Sequence, residues 1–308
     1  TKRTPMSTKL KRIQDQVVVV TGASSGIGLA TAELLAEKGA TVVLAARSDE
    51  TLDDVVSRIA ARGGTAAAVP CDVTDRGQVD RLAAEAVRRF GRIDTWVNNA
   101  GVGLWGRLDE TPEADARKLF DVNFWGLVNG CLAALPHLKR QGGALVNVGS
   151  EVSDAASPLQ GMYVASKHAV KGYTDCLRIE VEEVDKAPVA VALIQPGATD
   201  TPFPQHARNV TDAEPKLPNP QDDPRHVAEA ILTACETPTR EKKVSTSASL
   251  NATLAKVAGG VADFLAGKRT ADLHYDEPPR RPEGILDRPS EAAGGAGQVR
   301  GAGGQEPQ

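Results

Sequence analysis

Short apolar runs alternate with amphipathic stretches of helical length over the first two thirds of the chain. The runs are apolar throughout instead of alternating with polar residues, which is typical of strands buried on both faces of a parallel sheet. Six strands are predicted on this pattern, at Val17–Val20, Thr41–Ala45, Ala66–Pro70, Thr95–Asn98, Ala144–Val148 and Val189–Ile194.

Helical patterns lie between the predicted strands. One carries apolar residues at steps of three and four from Val79 to Phe90 and ends at Gly91, and another begins near Ile27 and ends at Gly39. Regular alternation of strand and helix indicates right-handed βαβ units. The predicted fold class is therefore α/β, a single doubly wound parallel sheet (a Rossmann fold) with helices on both faces.

The pattern changes after the sixth strand. The stretch 197–222 is rich in proline and has no periodicity, and so long a connection is usually functional or disordered. We expect it to cover the binding pocket. A helix begins again at Asp223, a cap residue that is followed by proline at the first helical position.

Composition and pattern divide the chain into four parts. Residues 1–13 form a basic N-terminal extension, and residues 14–250 form the Rossmann-type domain, which would be the catalytic one. Residues 251–275 form a weakly amphipathic extension. Residues 276–308 are rich in proline, glycine and charge, so we predict a disordered or partner-dependent tail.

Three glycines stand between the first strand and the first helix, at Gly22, Gly26 and Gly28. Glycine allows a sharp turn and lets backbone N–H groups approach a phosphate, while the helix N-terminus adds partial positive charge. A simple turn could have the same residues. The position between a strong strand and a long helix favours a nucleotide site.

The end of the second strand bears on which nucleotide binds. Ala45 and Ala46 are followed by Arg47, so no acid stands where NAD sites commonly hold the ribose 2′-hydroxyl. An always-charged guanidinium suits a 2′-phosphate. NADP(H) is therefore preferred. NAD(H) is the alternative, with Arg47 a surface charge and Asp49 or Glu50 reaching back to the ribose.

Tyr163 and Lys167 have helical spacing, so both lie on one face of a helix. Alone, such a pair is more often a surface pair. The catalytic interpretation is a proton donor whose pKa the lysine charge lowers from its usual value near 10. Ser150 could donate a hydrogen bond to the substrate oxygen, where charge develops, or could be only a turn residue after Gly149.

With these residues the chain resembles the short-chain dehydrogenase/reductase family over about 14–250. The matching motifs, in order, are TGASSGIG (21–28), CDVTD (71–75), NNAG (98–101), DVNFWG (121–126), VNVGS (146–150), YVASK (163–167) and PGATDTP (196–202). Two positions depart from the family pattern: Gly149 replaces a frequent serine, and Ser25 replaces the basic residue of some NADP-using members. The preference for NADP therefore depends on Arg47 alone.

The resemblance implies four catalytic residues, Asn123, Ser150, Tyr163 and Lys167. Asn123 would hold a water that links Lys167 to solvent, although an exposed helix asparagine is the alternative, and Lys167 would also hold the nicotinamide ribose. The implied cofactor-binding residues are Gly22, Ser24, Ser25, Gly26, Ile27, Gly28, Arg47, Asp72, Val73, Asn99, Ala100, Gly101, Tyr163, Lys167, Pro196, Gly197 and Thr201. Asp72 and Val73 would flank the adenine, and Thr201 would contact the carboxamide.

The expected function is that of an NADP(H)-dependent oxidoreductase that interconverts a ketone or aldehyde and an alcohol, with Tyr163 as general acid/base. The alternative is an NADP-binding sensor or scaffold of the same fold without turnover, but the complete set of catalytic residues favours the enzyme. We expect a small, apolar carbonyl or alcohol substrate, in a pocket lined by Trp105, Leu159, Met162 and Phe203. The resemblance also implies a homodimer or homotetramer, with the helices that bear Asn123 and Tyr163 at the contact.

The bulk composition limits the remaining partners. The net charge of −4 gives no reason to expect nucleic acid. The four cysteines are widely spaced and form no metal-ligand pairs, so no metal is predicted and core positions are expected for them. No run reaches the ~18 apolar residues of a membrane span. We expect a soluble, cytoplasmic protein.

Overall fold

The structure, a computed structural model, describes residues 9–245, 258–290 and 294–301. Parts of all four predicted segments lie outside the described residues, including residues 246–250 of the Rossmann-type domain. The other parts are residues 1–8 of the basic extension, 251–257 of the amphipathic extension, and 291–293 and 302–308 of the tail.

Seven parallel strands form the central sheet, in the spatial order β3-β2-β1-β4-β6-β7-β9. They are β1 (Val17–Thr21), β2 (Thr41–Ala46), β3 (Thr65–Pro70), β4 (Thr95–Asn98), β6 (Gly143–Val148), β7 (Val189–Gln195) and β9 (Glu241–Lys243). Two short strands, β5 (Leu104–Trp105) and β8 (Arg208–Asn209), pair separately beyond the sheet. The six predicted strands are confirmed, and the short edge strand β9 was not among them.

Six helices cover the two faces of this sheet: α1 (Gly26–Glu37), α2 (Asp49–Ala61), α3 (Arg76–Phe90), α5 (Gly126–Gln141), α6 (Gly161–Arg178) and α8 (Pro224–Glu236). The described residues also form α4 (Glu113–Phe120), α7 (Phe203–His206) and α9 (Gly259–Lys268). A π-helical turn, Asp121–Trp125, joins α4 to α5. The side chain of Asp223 accepts a hydrogen bond from the backbone N–H of Arg225, which caps α8 as the sequence predicts.

Two apolar cores lie on opposite faces of the sheet. Successive strand residues point to opposite faces, so Val17 and Val19 join the core under α3, α5 and α6, while Val18 and Val20 join the core under α1, α2 and α8. This arrangement confirms the doubly wound fold. Three of the four cysteines are buried, but Cys176 is exposed on α6, so the core position expected for it is wrong.

A chain of buried amide and hydroxyl groups fixes helix α6 to the sheet. Asn98 donates from Nδ2 to Asn147 Oδ1 at 2.9 Å, and Asn147 donates from Nδ2 to Thr174 Oγ1 at 3.0 Å. Buried polar groups that are satisfied in this way define one arrangement of the elements that carry them. The network therefore sets the position of α6 relative to the ends of β4 and β6.

The loop after β7 is bonded to the C-terminal part of the chain. Lys216 N donates to Leu273 O at 2.8 Å, Tyr275 N donates to Glu214 O at 2.9 Å, and Glu214 N donates to Glu277 O at 2.9 Å. The stretch predicted to cover the pocket is thus held by residues more than fifty positions later in the chain.

The structure describes most of the tail, whose predicted disorder or dependence on a partner stays a prediction. In the structure, residues 276–290 and 294–301 lie against the domain. Ile285 and Leu286 are buried in an apolar cluster with Leu119 of α4. Composition averaged over the tail misses this short apolar run, which is sufficient to anchor the segment because a complementary apolar surface is already present.

Candidate active site

The site lies at the carboxyl ends of β1 and β4. These strands are neighbours in the sheet, and the chain leaves them toward opposite sides, which opens a crevice in doubly wound folds. The predicted glycine turn follows β1 and leads into α1 at this crevice.

The glycine turn is locked to the end of β4. Gly22 has a φ of +68°, and a Cβ on Gly28 would overlap the carbonyl oxygen of Gly22 and the side-chain amide of Asn99. Asn99 donates from Nδ2 to Thr21 O at 3.0 Å, and the Thr21 hydroxyl accepts from the N–H of Asn99 and of Ala100 at 3.0 and 3.2 Å. Only glycine fits these positions, and the resulting backbone surface fits a close approach by a phosphate.

One cleft collects the predicted site residues. All the residues assigned to cofactor binding line it, as does Ser150. Asn123 is the exception among the predicted catalytic residues, because it is not part of the cleft wall. Asp49 and Glu50, the acids that could have reached the ribose, are exposed in the first turn of α2 and do not line the cleft.

Tyr163, Lys167 and Ser150 lie together at the end of β6. Lys167 Nζ is 5.8 Å from the centre of the Tyr163 ring and donates to the carbonyl of Val148, the last residue of β6, at 3.1 Å. Ser150 caps the turn that follows, since its hydroxyl accepts from Val152 N at 3.3 Å. The alternative of a surface Tyr–Lys pair is wrong, because Lys167 is only 5% exposed.

Burial sets the proton affinities of this pair. Burial raises the pKa of Tyr163 to about 12, against the opposing effect of its hydrogen bond with Ser150, and the charge of Glu151 raises the pKa further. Burial lowers the pKa of Lys167 to about 8. In the protein chain alone the pKa of Tyr163 is thus raised above its usual value, because loss of solvation is the largest effect on it. The lowering of this pKa by Lys167 together with a bound nicotinamide stays a prediction.

Asn123 lies behind the cleft, in the π-helical turn, and is 1% exposed. Its Oδ1 accepts from Val102 N at 2.8 Å, and its Nδ2 donates to Val102 O at 3.0 Å and to Ser166 Oγ at 3.1 Å. The alternative of an exposed helix asparagine is wrong. The side chain thus joins Val102, in the segment after β4, to Ser166, which lies three residues after Tyr163 on helix α6.

Aromatic rings form the wall beside Tyr163. The ring of Phe203 on α7 is centred 5.3 Å from that of Tyr163 and 5.9 Å from that of Trp105. Trp105 and Phe203 line the cleft as predicted, whereas Leu159 and Met162 are not part of its wall. Met162 instead packs against the apolar cluster that contains Ile285.

The C-terminal part of the chain contributes residues that sequence reasoning missed. Leu273, Ile285 and Ser290 line the cleft. Arg47 donates from Nη2 to the carbonyls of Ile285 and Arg288, both at 2.6 Å. The short apolar run at 285–286 was the one sequence signal that could have indicated this contact.

Metal-binding groups and membrane-spanning helices are both absent from the described ranges. Within residues 9–245, 258–290 and 294–301, no three His, Cys, Asp or Glu side chains form a group that could hold a metal ion. No helix in those ranges is long and apolar enough to cross a membrane.

Sequence and structure comparisons show which known proteins the chain is similar to. A sequence model of the family described as short chain dehydrogenase matches residues 16–211. The chain is 42% identical over 277 residues to the uncharacterized oxidoreductase YxnA of Bacillus subtilis (strain 168), covering 89% of this chain and 78% of the relative.

Two solved structures are similar over most of the chain. A short chain dehydrogenase/reductase from Burkholderia phymatum, in complex with NAD, matches with a TM-score of 0.74 at 26% identity, covering 82% of this chain and 96% of that one. A short chain dehydrogenase from Burkholderia cenocepacia J2315, in complex with NADP, matches with a TM-score of 0.70 at 29% identity, covering 83% and 99%.

The lowered pKa of Lys167 predicts a pH-dependent contribution to stability. Between pH 8 and 10.5, the unfolded chain holds a proton on this lysine that the folded protein has lost. Raising the pH through this range therefore stabilises the folded state relative to the unfolded one. We expect the free energy of unfolding of the wild type to rise relative to that of Lys167→Met when urea unfolding is compared at pH 7.5 and pH 9.5.

Measuring the wild type and Lys167→Met side by side at each pH provides the control. The other groups that titrate in this range, among them the buried thiols of Cys71, Cys131 and Cys235, are present in both proteins, so their effects cancel. A difference between wild type and Lys167→Met that stays constant with pH would contradict the lowered pKa.

Proposed function

The chain is an oxidoreductase of the short-chain dehydrogenase family, and on that premise we propose that it reduces a carbonyl compound to an alcohol, or oxidises the alcohol, with NADP(H) as cofactor. The observation that carries the proposal is the meeting of Tyr163, Ser150 and Lys167 in the same cleft as the glycine turn. Two structural neighbours that hold NAD or NADP support a nicotinamide cofactor.

Tyr163 is the proton donor in this proposal. The cofactor, when bound, supplies or accepts the hydride at the carbonyl carbon. A phenol whose pKa lies near 12 keeps its proton at neutral pH, which suits transfer of that proton to the oxygen of a carbonyl being reduced. Ser150 stands beside it and would donate a second hydrogen bond to the same oxygen, where negative charge develops.

Lys167 and Asn123 act around this pair. A buried lysine with a pKa near 8 is still largely charged at pH 7, so it would favour the phenolate that forms as the proton leaves. It would also hold the nicotinamide ribose. Both hydrogens of the Asn123 amide nitrogen are donated, to Val102 and Ser166, and its Oδ1 accepts one hydrogen bond from Val102, so the proposed water would bind the second lone pair of Oδ1 or a backbone group of this turn.

The preference for NADP depends on Arg47. Its guanidinium lies at the edge of the cleft beyond the end of β2, and carboxylates are absent from the cleft wall next to it on α2. A guanidinium binds a phosphate through paired, charge-assisted hydrogen bonds, which a ribose hydroxyl does not match. Arg47 is thus the residue that would distinguish NADP from NAD.

An apolar substrate is proposed from the wall beside the proton donor. Trp105 and Phe203 present aromatic rings there, and Val152 also lines the cleft. Apolar walls with a few polar groups are typical of small-molecule sites, in which the polar groups fix the orientation of the ligand. Tyr163 and Ser150 are those groups here, so a hydrophobic ketone or aldehyde fits best.

A homodimer or homotetramer through α5 and α6 is part of the proposal. Large apolar side chains are exposed on these helices and the turns next to them: Trp125 at 54%, Leu132 at 43% and Ile179 at 54%. Side chains of this kind are enriched in the buried core of protein interfaces. A second copy of the chain would cover them.

Replacing the proton donor tests the reaction. We expect the wild type to oxidise NADPH in the presence of some members of a panel of apolar ketones and aldehydes, followed by absorbance. Tyr163→Phe should lose this turnover, by at least about 100-fold, because general acid catalysis is typically worth that much. NADP binding by calorimetry should change little. Tyr173→Phe removes the same hydroxyl from the same helix and is the matched control.

Retained turnover in Tyr163→Phe would contradict the proposed role of the phenol. NADP binding without turnover of any carbonyl or alcohol in the panel, in the wild type, would instead favour a sensor or scaffold.

Replacing Arg47 tests the choice of cofactor. Arg47→Gln removes the charge that would bind the 2′-phosphate, so the affinity for NADP should fall relative to that for NAD by about 10- to 100-fold, the range expected for hydrogen bonds to a charged group. The ratio of the two dissociation constants, measured by calorimetry, is the readout. Arg62→Gln, at the far end of α2, should leave this ratio unchanged. An unaltered ratio in Arg47→Gln would exclude Arg47 as the selective residue.

The proposed assembly is tested by mass. Light scattering of the wild type should give two or four times the chain mass. Trp125→Glu places a charge on the apolar face, so we expect it to lower the mass. Leu108→Glu makes the same change at an exposed apolar residue outside these helices and should leave the mass unchanged. A monomeric wild type at micromolar concentration would contradict the assembly.

A further inference from the structure

The C-terminal residues 284–290 and 294–301, here termed the strap, lie along the groups that would bind the cofactor phosphates. At one end, Arg47 donates from Nη2 to the carbonyls of Ile285 and Arg288 and from Nη1 to that of Leu286. A guanidinium Nη carries two hydrogens, so both hydrogens of Nη2 are used by the strap. A 2′-phosphate could bind this nitrogen only after these carbonyls have moved.

The strap also occupies the start of helix α1. The N–H of Gly26, the first residue of the helix, donates to Gln298 O at 2.9 Å. Next to it, Gly297 N donates to Ser24 O at 2.8 Å, and the hydroxyls of Ser290 and Ser24 lie 3.2 Å apart. The first N–H groups of a helix have no partner within the helix and are the usual donors to a pyrophosphate. One of these donors is already satisfied by the strap.

The path of the strap is closely fitted to the domain. Gly284, Gly294, Gly295 and Gly297 all have φ between +54° and +78°, the left-handed region that favours glycine. A Cβ on Gly295 would come within 2.6 Å of Pro202, and a Cβ on Gly284 would overlap the carbonyl of Ala207. The fit over this length is that of a specific binding partner and not of a loose end.

Charge fixes the far end of the strap. Arg300 forms ion pairs with Asp200, in the loop after β7, and with Asp223, the cap residue of α8. Both carboxylates belong to the domain, so the strap is bound at both ends: by apolar burial at Ile285 and Leu286, and by charge at Arg300.

We propose that the strap is an intramolecular occupant of the dinucleotide cleft and is displaced when the cofactor binds. The proposal rests on the proposed function, since it requires a dinucleotide to bind Arg47, Ser24 and the start of α1. The strap and the phosphates would share Arg47 Nη2 and the N–H of Gly26, so a phosphate that binds these donors excludes the strap from them. Binding of the cofactor is then weakened by the fraction of molecules in which the strap is bound.

Loosening the strap in the full-length protein tests the competition. Gly284→Val adds a side chain where the φ of +54° and the Ala207 carbonyl leave no room, so it should release the strap. Arg300→Glu acts at the opposite end by repulsion from Asp200 and Asp223. If the strap occupies the cleft in about nine molecules of ten, release should lower the dissociation constant of NADP by about tenfold. Arg300→Glu should have a smaller effect, because its ion pairs are exposed.

Two controls separate this effect from others. Gly260→Val makes the same substitution in α9, where a Cβ meets open space, and should leave the affinity unchanged. The same strap must leave for either cofactor, so Gly284→Val should tighten NAD and NADP by the same factor. This behaviour differs from that of Arg47→Gln, which changes their ratio.

The outcomes distinguish the competition from the proposed function. Equal or weaker dinucleotide binding in Gly284→Val and Arg300→Glu, with clear binding by the wild type, would overturn the competition alone. If neither the wild type nor Gly284→Val binds NAD or NADP, the proposed function fails together with the competition.

Hydrogen exchange of the wild type provides a second measurement. Amides of residues 285–290 and 294–301 should exchange faster when NADP is added, because the strap leaves the cleft. Amides of α3 should not change. Slower exchange of the strap with NADP would overturn the proposal, since the strap would then lie over the bound cofactor and not in its place.

Discussion

The close approach between the start of helix α1 and the ends of β1 and β4 is the constraint on which the site depends. Gly28 has no room for a side chain because the Gly22 carbonyl and the Asn99 amide fill that space. Thr21 and Asn99 hold the two strand ends together by hydrogen bonds that involve both backbone and side chain. The turn, the helix terminus and the cleft wall are therefore one rigid unit. A phosphate that reaches this unit meets donors that are already oriented.

Tyr163 and Lys167, the groups proposed to react, owe their pKa values to burial more than to each other. Helix α6 is fixed to the sheet through Asn147 and Thr174, and this brings Lys167 to the end of β6, where it binds the Val148 carbonyl. A lysine in this position loses solvation, and the phenol beside it keeps its proton. The chain alone is thus prepared to give a proton. Removing one from an alcohol requires additional positive charge near Tyr163, which the oxidised nicotinamide would bring.

Those features that depend on neighbours in sequence could be predicted from the sequence. The strands, the glycine turn and the Tyr163–Lys167 pair all follow from spacing within a few residues or from one strand–turn–helix unit. The features that depend on distant contacts could not. The strap is bound because Ile285 and Leu286 meet an apolar surface formed more than a hundred and twenty residues earlier, and composition does not report such a surface. The direction of the Tyr163 pKa likewise reflects its complete surroundings, of which Lys167 is one member.

The hydrogen bonds between residues 214–216 and 273–277 affect how fast the cleft can open. A loop joined only at its own ends can swing aside within microseconds to milliseconds. Here the loop after β7 and residues 273–277, which precede the strap, form one layer. Opening by local separation must break several backbone bonds together, so the layer moves as a body. The residence time of a product beneath it is then set in part by residues far from the reacting atoms.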